Sequence, residues 1–122
     1  MSVLMVALGG AVGAVLRYLL GLIPVKEITS FPFITLIINV LGALLIGSIA
    51  AYSARHSVNE SLLLFLKIGL CGGFTTFSTF SLETAQLIKS GSIFEAIIYA
   101  ALSAVLCICA VFAAEFVTAR IF

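Results

Sequence analysis

Glycines, hydroxyls and phenyl rings crowd together in the run Gly72-Gly73-Phe74-Thr75-Thr76-Phe77-Ser78-Thr79-Phe80-Ser81, inside a segment otherwise long and apolar enough to cross a bilayer. A spanning helix needs none of that chemistry. The hydrocarbon core holds no water, so irregular or polar backbone survives there only where protein buries it or a cavity wets it. Gly72 and Gly73 relax the steric limits on the backbone, and Thr75, Thr76, Ser78, Thr79 and Ser81 carry hydroxyls that can reconnect freed backbone groups. The third segment is therefore expected to be broken at this run. A break exposes carbonyl oxygens that suit a cation and creates a half-helix N-terminus that suits an anion. Phe77 and Phe80, three residues apart, project from one side, and the positive edges of their rings can replace part of a small anion's hydration.

Further polar side chains stand at helical spacing in other apolar segments. Thr35 and Asn39 are four apart, as are Tyr99 and Ser103, with Cys107 one step further. Each set forms one stripe on its helix. Asn39 offers an amide NH2, while Thr35, Tyr99 and Ser103 each offer one hydroxyl donor. No acid or base joins these stripes, and neutral donors suit a small anion better than a cation, which would want carbonyls or carboxylates. Plain interhelical hydrogen bonding would also account for each pair. Gly9, Gly13, Arg17 and Gly21 follow at steps of four and share a face that permits close backbone contact with a neighbouring helix. Arg17 must pair, reach the interface or face water, and can hold an aqueous vestibule electropositive. Glu83, one turn after Phe80, is costly at membrane depth unless paired or wet, and belongs either to a structural network with Ser81 or to proton coupling. Lys67 is expected to reach the nearer membrane surface, and Glu60, Glu95 and Glu115 to lie in loops or at the interface.

The elements that carry these residues follow from composition. Of 122 residues, 63% are hydrophobic and 9% charged, against about a quarter charged in soluble domains. The chain is an integral membrane protein. A span needs roughly 20 apolar residues, which allows about four helices, expected near residues 2–23, 31–54, 61–88 and 93–119 of one domain. The first lacks a basic leader and carries Arg17, so it is expected to remain as a helix. Net charge is +1, which suggests neither nucleic acid nor anionic-lipid attraction. Cys71, Cys107 and Cys109 have no metal-ligand spacing and are expected to be small buried hydrophobes. Arg55, Lys67 and Arg120 lie toward the side of the termini; Arg17, Lys26 and Lys89 lie toward the other. That balance leaves orientation unbiased, so both insertions and an antiparallel pairing are expected alongside the simpler single orientation.

The motifs resemble those of the Fluc-type fluoride channels, the CrcB family. The likeness covers nearly the whole chain: Gly9 to Tyr18 in the first helix, Thr35-Leu36-Ile37-Ile38-Asn39 in the second, the long run in the third, Tyr99 with Ser103 in the fourth. The run is the most specific piece. The resemblance implies an all-α membrane protein of four transmembrane helices with a break in the third, paired as an antiparallel, dual-topology dimer with two fluoride pores. It implies a Na+ at the dimer centre on the backbone carbonyls of Gly72 and Thr75, pore phenylalanines at Phe77 and Phe80, a pore asparagine at Asn39 and a polar track at Thr35, Tyr99 and Ser103. Ser78 and Thr79 would lie near the pore and Arg17 at the vestibule. Some relatives carry a further hydroxyl where this chain has Cys107. Some relatives also pair as different, oppositely oriented chains, so the partner is a second copy or a paralogue.

The reading is a fluoride-selective channel in the cytoplasmic membrane, exporting F⁻ passively and conferring fluoride resistance, with no covalent chemistry. Two other classes share the size: a proton-coupled exporter of the small multidrug type, which relies on a first-helix glutamate missing here, and a non-transporting scaffold subunit. A pH-gradient dependence would favour the former, and absence of any ion flux the latter.

Overall fold

The computed structural model describes all 122 residues and is all-helical. Four stretches are long and apolar enough to cross a membrane: Ser2–Glu27, Phe33–Arg55, Glu60–Lys89 and Ile93–Ile121. The first is α1 (Ser2–Gly21) followed by a tight 3₁₀ turn at Pro24–Glu27, where proline fixes φ for the first position. The second is α2 (Phe33–Arg55) and the fourth α6 (Ile93–Ile121). Ser30 donates to Glu95 at 3.0 Å across one end of the bundle, and Arg55 donates to the Ala119 carbonyl at the other, so the spans alternate in direction and both termini share a side.

The third span is composite. Asn59 caps it by accepting from the Ser61 and Leu62 amides at 2.8 and 3.4 Å. A short α3 (Glu60–Leu63) widens into π-helix over Leu64–Cys71, then tightens into α4 (Gly72–Phe74). Thr75 (φ −82°, ψ 159°) and Thr76 (φ −152°, ψ 119°) are extended, and α5 (Phe77–Lys89) starts afresh. At its far end Gly91, at φ 86°, closes the helix: its N–H meets the Ile88 carbonyl at 3.1 Å, and the Ser92 N–H meets the Leu87 carbonyl at 2.9 Å. That left-handed turn needs glycine and sends the chain into α6.

Two contacts hold the third span. Against α1 it packs backbone to backbone, since a methyl on Gly69 would lie 2.8 Å from Gly9 Cα and one on Gly13 2.7 Å from the Phe74 nitrogen. The glycine stripe of α1 serves this seam inside the chain. Gly21 faces open space, outside the contact. Against α2 it is held by Asn39, whose Oδ1 accepts from the Thr76 N–H at 2.9 Å while its Nδ2 donates to the Thr76 carbonyl at 3.1 Å. One amide side chain thus satisfies both polar groups of an extended residue. α2 and α6 pack along their lengths, and at one end Leu36, Leu87, Ala96 and the fully buried Tyr99 form the apolar core with Phe31, Val40 and Phe80 against it. Cys71 is buried, but Cys109 is exposed on the outer face of α6, so the expectation of three buried thiols fails there: α6 turns that position away from its neighbours.

Replacing Asn39 by alanine leaves the N–H and C=O of Thr76, both part-buried, without partners, at up to about 1–3 kcal/mol each. The expected outcome is a lower unfolding temperature in detergent together with loss of amide exchange protection at Thr76. Unchanged protection of that amide would show that the clamp does not hold the extended pair.

Candidate functional site

The extended pair rearranges the hydrogen bonds of one helical turn. In a continuous helix the Thr76 N–H would bond the Gly72 carbonyl, the Phe77 N–H the Gly73 carbonyl and the Thr79 N–H the Thr75 carbonyl. Here the Thr76 N–H goes to Asn39, and the Thr79 N–H goes to Thr76 Oγ1 at 3.2 Å, an N-cap for α5. Gly73's carbonyl accepts instead from Arg17 Nε at 3.1 Å, and Thr75 Oγ1 reinforces Cys71's carbonyl at 2.8 Å. Gly72 and Thr75 therefore lose the N–H groups that a helix would have aimed at their carbonyls.

A cavity of about 590 Å³ opens between α2, α6 and the third span, and both Gly72 and Thr75 line it. A methyl on Gly72 would meet nothing, which marks that wall as open. Phe77 and Phe80 stand on the wall with ring centroids 5.3 Å apart, and Phe77 is 79% exposed although it occupies mid-span. Asn39 lines the same space; one of its two N–H groups is taken by Thr76 and the second is left for the cavity. Across from it Ser103 Oγ is buried and has no hydrogen-bond partner, with Cys107 one turn along α6. The arrangement is a largely apolar chamber with sparse neutral donors and one lysine, Lys67, phenyl rings at one side and backbone oxygens without helical partners at another.

Other predicted residues lie elsewhere. Thr35 Oγ1 donates to Glu83 Oε1 at 3.0 Å and Tyr99 OH to Glu83 Oε2 at 2.9 Å, so both hydroxyls are committed to one buried carboxylate. Lys26 approaches that carboxylate at 3.6 Å from the loop. With a side chain 76% exposed, it adds at most about 1 kcal/mol. Glu83 and Lys26 line a second, polar cavity of about 280 Å³ at the loop end with Ser30 and Gln86. Phe80 bridges the two regions, its ring 5.2 Å from that of Tyr99. Ser81 donates back to the Phe77 carbonyl at 2.9 Å, Ser78 lies 3.3 Å from Thr76 Oγ1, and Thr76 Oγ1 donates to Thr79 Oγ1 at 3.1 Å. These hydroxyls repair the turn; Thr76 also lines the large cavity, while Ser78, Thr79 and Ser81 do not, and Ser81 takes no part in the Glu83 group. Arg17, half-buried on the glycine seam, lines neither cavity.

Three residues carry more than the sequence assigned them. Thr76 is both clamped residue and cap, and its local signal was the Thr76–Thr79 spacing of an N-cap. Lys26 finds a carboxylate 57 positions away, for which no local pattern exists. Lys67, expected at the membrane surface, lines the large cavity.

Comparison with known proteins follows the same residues. Residues 4–115 match the family described as CrcB-like protein, Camphor Resistance (CrcB). The fluoride-specific ion channel FluC of Idiomarina loihiensis is 43% identical over 110 residues, covering 89% of this chain and 85% of that one. Its namesake from Phocaeicola vulgatus is 50% identical over 91 residues, 74% of this chain and 75% of the other. That from Novosphingobium aromaticivorans is 50% identical over 103 residues, 82% of each. With the match spanning all four helices and the run that builds the cavity wall, this chain is a multi-pass membrane protein of the CrcB family.

Proposed function

We propose that the chain is a fluoride-selective channel that releases F⁻ passively across the cytoplasmic membrane, lowering fluoride that has entered as membrane-permeant HF and so conferring fluoride resistance. The observation that carries this reading is the Phe77–Phe80 ring pair on the wall of a cavity whose other polar side chains are, apart from Lys67, neutral. Fluoride is small and strongly hydrated, so its dehydration must be offset by several close donors, here Asn39, Ser103 and the ring edges. Chloride is larger and less demanding, and a narrow path lined this way disfavours it. Glu83 is held by Thr35, Tyr99 and Lys26 together, which supports a fixed structural carboxylate over a proton-coupling one and a channel over a proton-driven exporter. Nothing in the site calls for covalent catalysis.

The functional unit in this reading is an antiparallel pair, made with a second copy or an oppositely oriented paralogue. Two features support it. The six lysines and arginines divide evenly between the two membrane sides, and the cavity opens sideways with Phe77 largely exposed, so a second chain would narrow it to ionic width. The extended pair Thr75–Thr76 is then the break at which two third spans cross. The carbonyls of Gly72 and Thr75, relieved of their helical partners and lining the cavity, fit an alkali cation, which prefers carbonyl oxygens. A structural Na+ held there would supply positive charge at the centre of the pair. The chain has no cluster of histidine, cysteine and carboxylate side chains that could take a transition metal instead.

Replacing Phe77 or Phe80 by isoleucine keeps bulk and removes the ring edge. Loss of about 1.4 kcal/mol of barrier compensation slows a step about tenfold, so fluoride efflux from liposomes, followed by a fluoride electrode, is expected to fall at least that far while the detergent-solubilised assembly stays the same size. Wild-type rates in both variants would remove the ring-edge mechanism. Exhaustive exchange of Na+ for a bulky organic cation is expected to abolish or strongly reduce flux, with recovery on return of Na+. Because the oxygens are backbone, Thr75→Val should be tolerated better than Gly72→Val. Flux indifferent to prolonged Na+ removal would eliminate the cation.

A further inference from the structure

The cavity has one charged wall residue. Lys67 stands on the π-helical part of the third span, roughly 10 Å along it from Glu60 at helical rise. Gly72 follows five positions on, the i to i+5 step of the π-helix, so the two fall on one face and both line the chamber. Cys71 on the same span and Cys107 and Val111 of α6 line the same cavity. The side chain is half-buried, and the chain's one ion pair, Lys26–Glu83, does not involve it. An ammonium at that depth without a carboxylate partner is stable only where water or an anion reaches it.

We infer that Lys67 is the electrostatic attractor of the anion path: a positioning residue whose charge concentrates small anions in the chamber on the side of the termini, ahead of the neutral filter at Asn39, Phe77 and Phe80. This rests on the fluoride-channel reading and adds to it a division of labour. Charge raises anion occupancy without distinguishing halides, because fluoride and chloride carry the same charge at similar distance. Discrimination stays with the donors and ring edges. Polar positions expected from the sequence to line the path are neutral, and Thr35 and Tyr99 are committed to Glu83, so no other charged side chain lines the chamber.

The test is fluoride efflux from liposomes containing the full chain, comparing wild type with Lys67→Gln, Lys67→Met and Lys67→Arg, each confirmed monodisperse, at low ionic strength and in about 1 M impermeant salt. Neutral variants are expected to slow efflux about threefold to tenfold at low salt, the lower range of electrostatic steering, with arginine restoring it. The difference should shrink at high salt, where the screening length falls from about 10 Å at 0.1 M to about 3 Å. The fluoride-to-chloride ratio should not change. Wild-type rates in the neutral variants, a loss that arginine does not restore, a loss indifferent to salt, or a changed halide ratio would each overturn the assignment. Using both Gln and Met keeps the comparison open if one of them assembles poorly. Absence of fluoride flux in wild type would instead overturn the channel reading, and this inference with it.

Discussion

Every feature of the chamber depends on one constraint: backbone polar groups that leave a helix inside hydrocarbon must find partners in the protein. Thr75 and Thr76 are extended at mid-span, and the groups they release are met from three directions. Asn39 on α2 takes both polar groups of Thr76, Arg17 on α1 takes the Gly73 carbonyl, and the hydroxyl of Thr76 caps the restarted helix. These bonds also set geometry. They pin the third span between α1 and α2 and fix the rotation at which α5 begins, which puts Phe77 and Phe80 on the cavity wall. What the repairs leave over is as informative as what they satisfy, because Gly72 and Thr75 line the chamber and their carbonyls lack the N–H groups that a helix would have given them.

The glycine seam makes this geometry possible. Side chains at Gly9, Gly13 or Gly69 would push α1 away from the third span by colliding with backbone atoms, and Arg17 could then no longer reach Gly73. Close approach and hydrogen-bond repair are therefore one arrangement. The π-helical widening over Leu64–Cys71 lies along the same seam, where backbones touch and the span must adjust its register before the extended pair.

Much of this was legible from residue types. The four spans followed from length and apolarity, the glycine stripe named the close-packed face of α1, and the glycine and hydroxyl run singled out the stretch where the backbone departs from helix. The sequence was less informative about where donors spend their hydrogen bonds. Helical spacing placed Thr35 and Tyr99 in line with Asn39 and Ser103, but it did not show that both hydroxyls donate to a carboxylate 48 positions from one and 16 from the other. Spacing reports which residues share a face; it does not report the acceptor across the bundle. Arg17 shows the same limit. A guanidinium in a membrane segment suggests water, while the extended pair supplied a carbonyl that only the fold brings within reach. Lys67 shows another side of that limit, since its place among the residues lining the chamber depends on how the third span packs and has no local signal.

The decisive measurement is the efflux of fluoride and of chloride from liposomes reconstituted with this chain as the sole protein. Rapid fluoride release with chloride retained, without a pH gradient to drive it, is the predicted result, and it would show at once that the chamber conducts, that it discriminates, and that copies of one chain complete it. Retention of fluoride at levels seen in protein-free liposomes, or equal release of the two halides, would contradict the assignment of the ring-lined chamber as a fluoride filter.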